Sequence, residues 1–297
     1  MNLNLEVVDT PPRAAATVVM VRDSSDGLET FLVRRHGLSD VLAGAFVFPG
    51  GKVDPHDMAP DSQALFAQDA ADLPARLNEP GIDPGTATSL YLAAIRETFE
   101  ESGVLLARAA RADQAARAIA LVREGGLRFD QALARLSLQL DATELLPWSR
   151  WITPRRPTVT NKRFDTRFFV AALPPGQIAL HDNIEATESV WLRPRAALQR
   201  YWDGAIDLAP PQIMTLAHLS HYPTLAHLRA AWRNRPPPLI APEPIDEGDA
   251  RMVCYPGDER HSNPVRAMPG PTRLAYRNRR FEPAQGFDGL FSPAPAD

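Results

Sequence analysis

The order of strand-like and helix-like segments predicts an α/β protein built on a sheet. Two β-branched runs, 14–22 and 29–35, flank a short polar turn, and apolar residues recur at helical spacing over 89–102. Further strand-like runs return at 166–172 and 189–192. The chain has 297 residues, 44% hydrophobic and 23% charged, enough for one elaborated domain or two small ones with a full core.

The first two runs, AAATVVMVR and ETFLVRR, are joined through Ser-Ser-Asp-Gly, the chemistry of a hairpin turn. After Gly44-Ala45-Phe46-Val47-Phe48 comes Pro49-Gly50-Gly51, a turn whose glycines let the backbone come close to a ligand. Residues 58–88 are rich in Asp, Ala, Pro and Gly and read as an insertion, looped out at the surface. Leu92, Ile95 and Phe99 then mark a helix over 89–102, stopped by Gly103. Val104–Leu106 is expected as a strand, followed by helices over 112–123 and 129–136. Strands are expected at 151–152, 166–172 and 189–192, and two helices within 208–233, the second opened by Pro223-Thr224. Residues 235–244 form a proline-rich connector, and the tail adds short strands.

The chemistry concentrates in Arg96-Glu97-Thr98-Phe99-Glu100-Glu101-Ser102-Gly103-Val104. At 100° per residue, Glu97, Glu100 and Glu101 share one arc of about 100°, apart from Leu92, Ile95 and Phe99. Like charges at these spacings repel by a few tenths of a kcal/mol per pair, and a bound cation compensates them. Oxygen ligands favour Mg²⁺ or Mn²⁺ over zinc. Arg96 is placed to hold a carboxylate in a fixed orientation. A solvated acidic face is the competing reading of the helix alone.

The glycine turn followed by this helix resembles the Nudix box, G-x5-E-x7-R-E-U-x-E-E-x-G-U, where U is apolar. Arg96, Glu97, Glu100, Glu101, Gly103 and Val104 occupy its fixed positions, with Thr98 at an apolar one. In the first half, Gly51 matches, Asp57 stands where the pattern has Glu, and 38 residues separate it from Arg96 in place of seven. A box split in this way resembles the Nudix subgroup that includes the peroxisomal coenzyme A diphosphatase. Closing a longer loop costs only about 0.6 kcal/mol per doubling, so loop and helix can still meet. Upstream, Arg35 and Phe48-Pro49-Gly50-Gly51 resemble the coenzyme A motif L-L-T-x-R-x4-R-x3-G-x3-F-P-G-G, with Asp40 at its second arginine.

The resemblance implies a Nudix-type α/β/α sandwich with a mixed β-sheet: a Nudix domain over 10–235 with an insertion at about 58–88, then a connector and extension over 236–297. It implies a metal-dependent hydrolase of a nucleoside diphosphate linked to another group, coenzyme A or an acyl derivative first. ADP-ribose, a nucleotide sugar or a dinucleotide is the second choice, and a non-catalytic nucleotide-binding module the third. It assigns Glu100, Glu101 and Arg96 to catalysis, Glu97, Glu100, Glu101 and the Gly51 carbonyl to Mg²⁺ or Mn²⁺, and Arg35, Gly50 and Lys52 to substrate. Glu185 and Glu188 are candidates for a general base outside the box, against the simpler reading of a solvated loop.

Arg155, Arg156, Lys162, Arg163 and Arg167 surround Asp165 and form a further phosphate-binding candidate, with plain solvation as the alternative. His218, His221 and His227 lie close in sequence, but a Leu-rich helix and the Tyr222-Pro223 break make them structural rather than metal ligands. The five tryptophans read as core or interface. A net charge of −4 offers no general attraction to nucleic acid or anionic lipid. The longest apolar run, eight residues, is far short of the roughly 20 that span a bilayer. One cysteine, Cys254, excludes an intrachain disulfide. The first residues carry no secretory pattern and the final PAPAD no peroxisomal or prenylation signal, so a cytoplasmic location is expected. A homodimer contact and a cover for the pocket are both open uses of the extension.

Overall fold

The computed structural model describes residues 4, 6–39, 41–233, 235–247 and 250–292; Asp40 and the terminal PAPAD lie outside them. The elements in chain order begin with β1 (Arg13–Ser24), β2 (Gly27–Arg35), β3 (Phe46–Val47), β4 (Gly50–Lys52), α1 (Leu73–Leu77) and α2 (Pro84–Ser102). Next come α3 (Ala112–Arg123), α4 (Phe129–Leu136), β5 (Leu146–Ile152), β6 (Phe164–Ala172), β7 (Ala186–Leu192), α5 (Pro194–Trp202), α6 (Pro210–Leu219) and α7 (Leu225–Trp232). The chain continues with β8 (Leu239–Ile240), β9 (Glu243–Glu247), β10 (Ala250–Cys254), β11 (Arg273–Arg277) and β12 (Arg280–Glu282).

Among the described residues eight strands form one mixed sheet, along the path β3-β2-β1-β6-β5-β8 with β4 on β1 and β7 on β2. β1 runs parallel to β6 and antiparallel to β2 and β4. Both faces are covered, which is why β1 reads as a nearly continuous apolar run. Ala16, Val18 and Met20 face a cluster with Leu92, Ile95 and Phe99 of α2, whereas Val19 and Val21 face Leu198 of α5 and the apolar sides of α6 and α7. The result is the expected sandwich. β9–β12 form a second, antiparallel sheet, and Val253, Leu274 and Phe281 join the cluster on the α6 side. No helix among the described residues is long and apolar enough to cross a membrane.

Helix α2 starts five residues earlier than expected. Asp83 caps it, accepting from the Thr86 N–H at 2.9 Å, and Pro84 opens the first turn, so this Asp-Pro pair is a start signal. It ends at Gly103, whose left-handed φ of 72° suits glycine.

Two expectations are corrected. The 58–88 segment is not looped out: Phe66, Leu73 and Leu77 are buried in the α2 cluster, and α1 folds within it. Its few large apolar residues are anchors that its polar composition obscures. Val104–Leu106 is buried but forms no named strand. The Gln177 side chain replaces a ladder there, accepting from Leu105 N–H at 2.8 Å and donating to Leu105 C=O at 3.0 Å.

Candidate active site

Gly50 and Gly51 lie in β4, held against Thr17 and Ala16 of β1, and face one turn of α2. Each glycine is needed for a separate reason. At Gly50, with φ 156°, a Cβ would stand 2.4 Å from the Ala16 carbonyl oxygen; at Gly51 it would stand 2.4 Å from the Glu97 carboxyl carbon. The carboxylate therefore occupies the space that a side chain would take, and glycine corner and helix are in contact despite the long insertion.

Arg96 organises the acids. Its Nε and Nη2 donate to the two oxygens of Asp57 at 3.0 and 2.8 Å, and Nη1 donates to Glu97 at 2.8 Å and Glu100 at 2.9 Å. Nη2 also donates to the Lys52 carbonyl at 3.2 Å. Asp57 is buried and accepts in addition from the Asp54 N–H at 2.8 Å. This shorter acid thus acts as a tether between the glycine loop and α2. Burial opposes the Arg96 charge, but the Asp57 hydrogen bond and the Glu97, Asp57 and Glu100 charges outweigh it and raise the guanidinium above its ordinary value.

Glu101 is 3% exposed, accepts from the Gly50 N–H at 3.1 Å and has Arg35 Nη1 at 4.0 Å. Burial first, then the Glu97 charge, pushes its carboxyl up to about 8. Burial likewise lifts Glu97 to about 7 against the pull of Arg96, with Glu100 and Glu185 adding to the rise. Glu100 is raised too, chiefly by burial. Thr98, at the box's apolar position, is buried and returns its hydroxyl to the Ala94 carbonyl at 2.7 Å, so it leaves no unpaired donor.

Gly50, Gly51, Arg96, Glu97 and Glu100 line a cleft of about 650 Å³ together with Arg35, Lys52 and Glu185, while Glu101, Asp57 and Thr98 lie behind its surface. Glu188 is instead paired with Arg34 at 3.5 Å on the β2–β7 ladder. Two further walls, Arg13 and Gln212, were not singled out from sequence; neither stands in a motif that marks it.

The other basic candidates are spent elsewhere. Arg155 pairs with Asp9, Arg156 with Asp246, and Arg167 with Glu79, the last at 2.6 Å, while Arg163 donates to the Thr153 carbonyl at 3.0 Å. Lys162 alone of that group lines the cleft. His218 is buried between Trp148 and Trp232, and burial pushes it down to about 3. His227 serves the Thr224 cap of α7.

The acids supply an oxygen-only donor set whose charge burial disfavours, an environment that a hard divalent cation relieves. In the conformation described, no three His, Cys, Asp or Glu side chains among the described residues are grouped to hold an ion. Glu97 and Glu100 both turn onto Arg96 Nη1, and Glu101 onto the Gly50 N–H. The donors fit Mg²⁺ in chemistry, and one oxygen each of Glu97 and Glu100 is not used by Arg96.

Residues 83–219 match the family described as the NUDT19 Nudix domain. The chain is 28% identical over 249 residues to the acyl-coenzyme A diphosphatase NUDT19 of Xenopus laevis, covering 72% of this chain and 65% of that protein. The Homo sapiens protein of the same name is 27% identical over 239 residues, covering 69% and 64%. The chain thus spans just under two thirds of the length of these two relatives. The crystal structure of a NUDIX hydrolase from Alicyclobacillus acidocaldarius superposes with a TM-score of 0.57 at 26% identity, covering 75% of this chain and 97% of that one.

Proposed function

We propose that this chain, whose residues 83–219 match the NUDT19 Nudix domain and which is distantly homologous to the acyl-coenzyme A diphosphatases, is a metal-dependent diphosphatase. Its substrate on this reading is a nucleoside diphosphate joined to a second group, coenzyme A or an acyl derivative first. One observation carries the reading: three glutamates on one turn of α2 meet a glycine corner so tightly that the Glu97 carboxylate fills the Cβ position of Gly51.

Glu97, Glu100 and Glu101 offer the carboxylate oxygens for the ion, and the Gly51 carbonyl a neutral one. A bound Mg²⁺ or Mn²⁺ supplies neutralisation of diphosphate charge and a lowered water pKa. Arg96 fixes the direction of Glu97 and Glu100 until they are needed, and Asp57 keeps Arg96 in place. Arg35 and Lys52 face the cleft as partners for phosphate oxygens, whereas the Gly50 N–H, a sequence candidate for the same role, is donated to Glu101. Glu185 stands across the cleft as the group outside the box able to take a proton from the attacking water. Addition of water across the P–O–P bond of coenzyme A gives 3′,5′-ADP and 4′-phosphopantetheine.

Product analysis with Mg²⁺ against coenzyme A, ADP-ribose, a nucleotide sugar and a dinucleotide tests this. Cleavage of at least one at the diphosphate, abolished by chelator, is expected. Tight binding of one member with no turnover of any rejects the enzyme reading in favour of a sensing module.

A further inference from the structure

One side chain holds the loop that carries Glu185. Asp182 Oδ1 accepts from the backbone N–H groups of Ile184 at 3.1 Å, Glu185 at 3.2 Å and Ala186 at 3.0 Å, and Oδ2 accepts from the Glu185 N–H at 3.1 Å. Gathering three successive donors on one carboxylate takes a tight curl of chain, and Asn183 supplies it at a left-handed φ of 63°, a conformation that asparagine tolerates. From the other side, the His36 N–H donates to the Glu185 carbonyl at 2.8 Å. Both backbone groups of Glu185 are thus fixed, while the residue itself is exposed.

The pairing of β7 with β2 is irregular at the same place. Arg34 stands opposite Glu188 but Arg35 opposite Ala186, so Thr187 is the extra residue of a bulge, a feature that re-aims neighbouring side chains. Glu185 consequently adjoins the Ala186–Arg35 pair, and Glu185 and Arg35 line the cleft together. Like charge opposes this placement, since Glu185 is near enough to raise Glu97, Glu100 and Glu101. A glutamate on a slack loop would relax away from the three acids towards solvent. Asp182, which is not among the described residues lining the cleft, supplies the restraint from outside it.

We infer that Asp182 is a positioning residue for turnover: by gripping the backbone from Ile184 to Ala186 it keeps the Glu185 carboxylate at the cleft against repulsion by the acids of α2. The inference rests on the diphosphatase reading, in which Glu185 takes the proton of the attacking water, and adds the group that aims it. Proton transfer needs acceptor and donor within hydrogen-bond reach, so a loop shift of about 1 Å lowers the rate by on the order of a hundredfold. The four hydrogen bonds of Asp182 run to its own loop, whereas α2, the glycine corner, Arg35 and Lys52 grip metal and substrate on this reading. Its loss therefore falls on kcat rather than on KM.

The test uses the full chain, Mg²⁺ and whichever of coenzyme A, ADP-ribose, a nucleotide sugar or a dinucleotide it cleaves. Asp182→Ala removes every acceptor and should lower kcat by about tenfold to a hundredfold, with KM and the Mg²⁺-induced rise in Tm changed little. Asp182→Asn keeps Oδ1, which accepts from all three N–H groups, and should recover most of the rate. The decisive readout is a double-mutant cycle. Glu185→Gln should lower kcat by about a hundredfold or more, and Asp182→Ala added to it should lower kcat no further, because no carboxylate is left to aim. A brace of the fold alone would instead multiply the two losses. Multiplied losses, unchanged kcat in Asp182→Ala, or a change confined to KM overturns the inference while sparing the diphosphatase reading. Normal turnover in Glu185→Gln does the same. No turnover of any substrate by the wild-type chain overturns both. If Asp182→Ala does not fold, Asp182→Ser, whose hydroxyl keeps one bond, takes its place in the cycle.

Discussion

Arg96 and Asp57 lie 39 positions apart in sequence and form a two-pronged hydrogen-bonded ion pair, Nε to Oδ1 at 3.0 Å and Nη2 to Oδ2 at 2.8 Å. Their side chains are 12% and 2% exposed. Breaking such a buried pair by removing one member typically costs about 3–5 kcal/mol, because the other charge is left uncompensated. Asp57→Ala is therefore expected to destabilise by that amount in denaturant unfolding and to reduce turnover by freeing the loop. A loss below about 1 kcal/mol would show that the contact is solvent-screened and no tether.

The two glycines should fail differently. Gly50→Ala forces a Cβ against the Ala16 and Thr17 backbone, which cannot swing away, so overpacking of about 1–3 kcal/mol or more is expected in thermal unfolding. Gly51→Ala meets only the end of Glu97, which can turn aside. It should keep nearly normal stability yet lose Mg²⁺ affinity and activity. Equal behaviour of the two variants would separate Glu97 from any role in the cleft.

Glu100→Gln and Glu101→Gln should each cut turnover by orders of magnitude with the fold intact, since like-charge repulsion is relieved as metal affinity is lost. Phe99→Ala, one residue away on the core face and 2% exposed, should do the reverse. It is expected to lower stability by about 3–5 kcal/mol and spare the acids. Near-normal activity in both Gln variants would remove these acids from the mechanism.

What could be read from sequence follows from the range over which each signal acts. The face of α2 that carries Glu97, Glu100 and Glu101 is set by helical period, a local property, and β1 is legible as a continuous β-branched and apolar run. Tethering by Asp57 was not legible, because nothing local says that a substituted acid across a 38-residue gap will find Arg96. The role of the insertion was masked by composition: Phe66, Leu73 and Leu77 are few among polar neighbours, yet they decide where the segment sits. Leu105 looked like a strand because it is apolar and buried, but its ladder partner is the side chain of Gln177, 72 residues away.

Glu97 and Glu101 are pushed up to about 7 and about 8 from an ordinary 4.5. Between roughly pH 4.5 and pH 8 the folded chain therefore holds protons that the unfolded chain has released. Stability of the metal-free protein falls as pH rises through this window and levels off on either side of it as far as these two groups are concerned. Cation binding requires the same protons to leave, so Mg²⁺ should raise Tm more at about pH 8 than at about pH 5.5. Glu101→Gln resembles the protonated acid permanently, so it should flatten the metal-free Tm profile and shrink the Mg²⁺ gain at the alkaline end. A wild-type Tm that rises from pH 5.5 to 8 without metal, with Glu101→Gln following the same curve, would mean that these carboxylates enter the fold already ionised and that Arg96 and Arg35 compensate them without a cation.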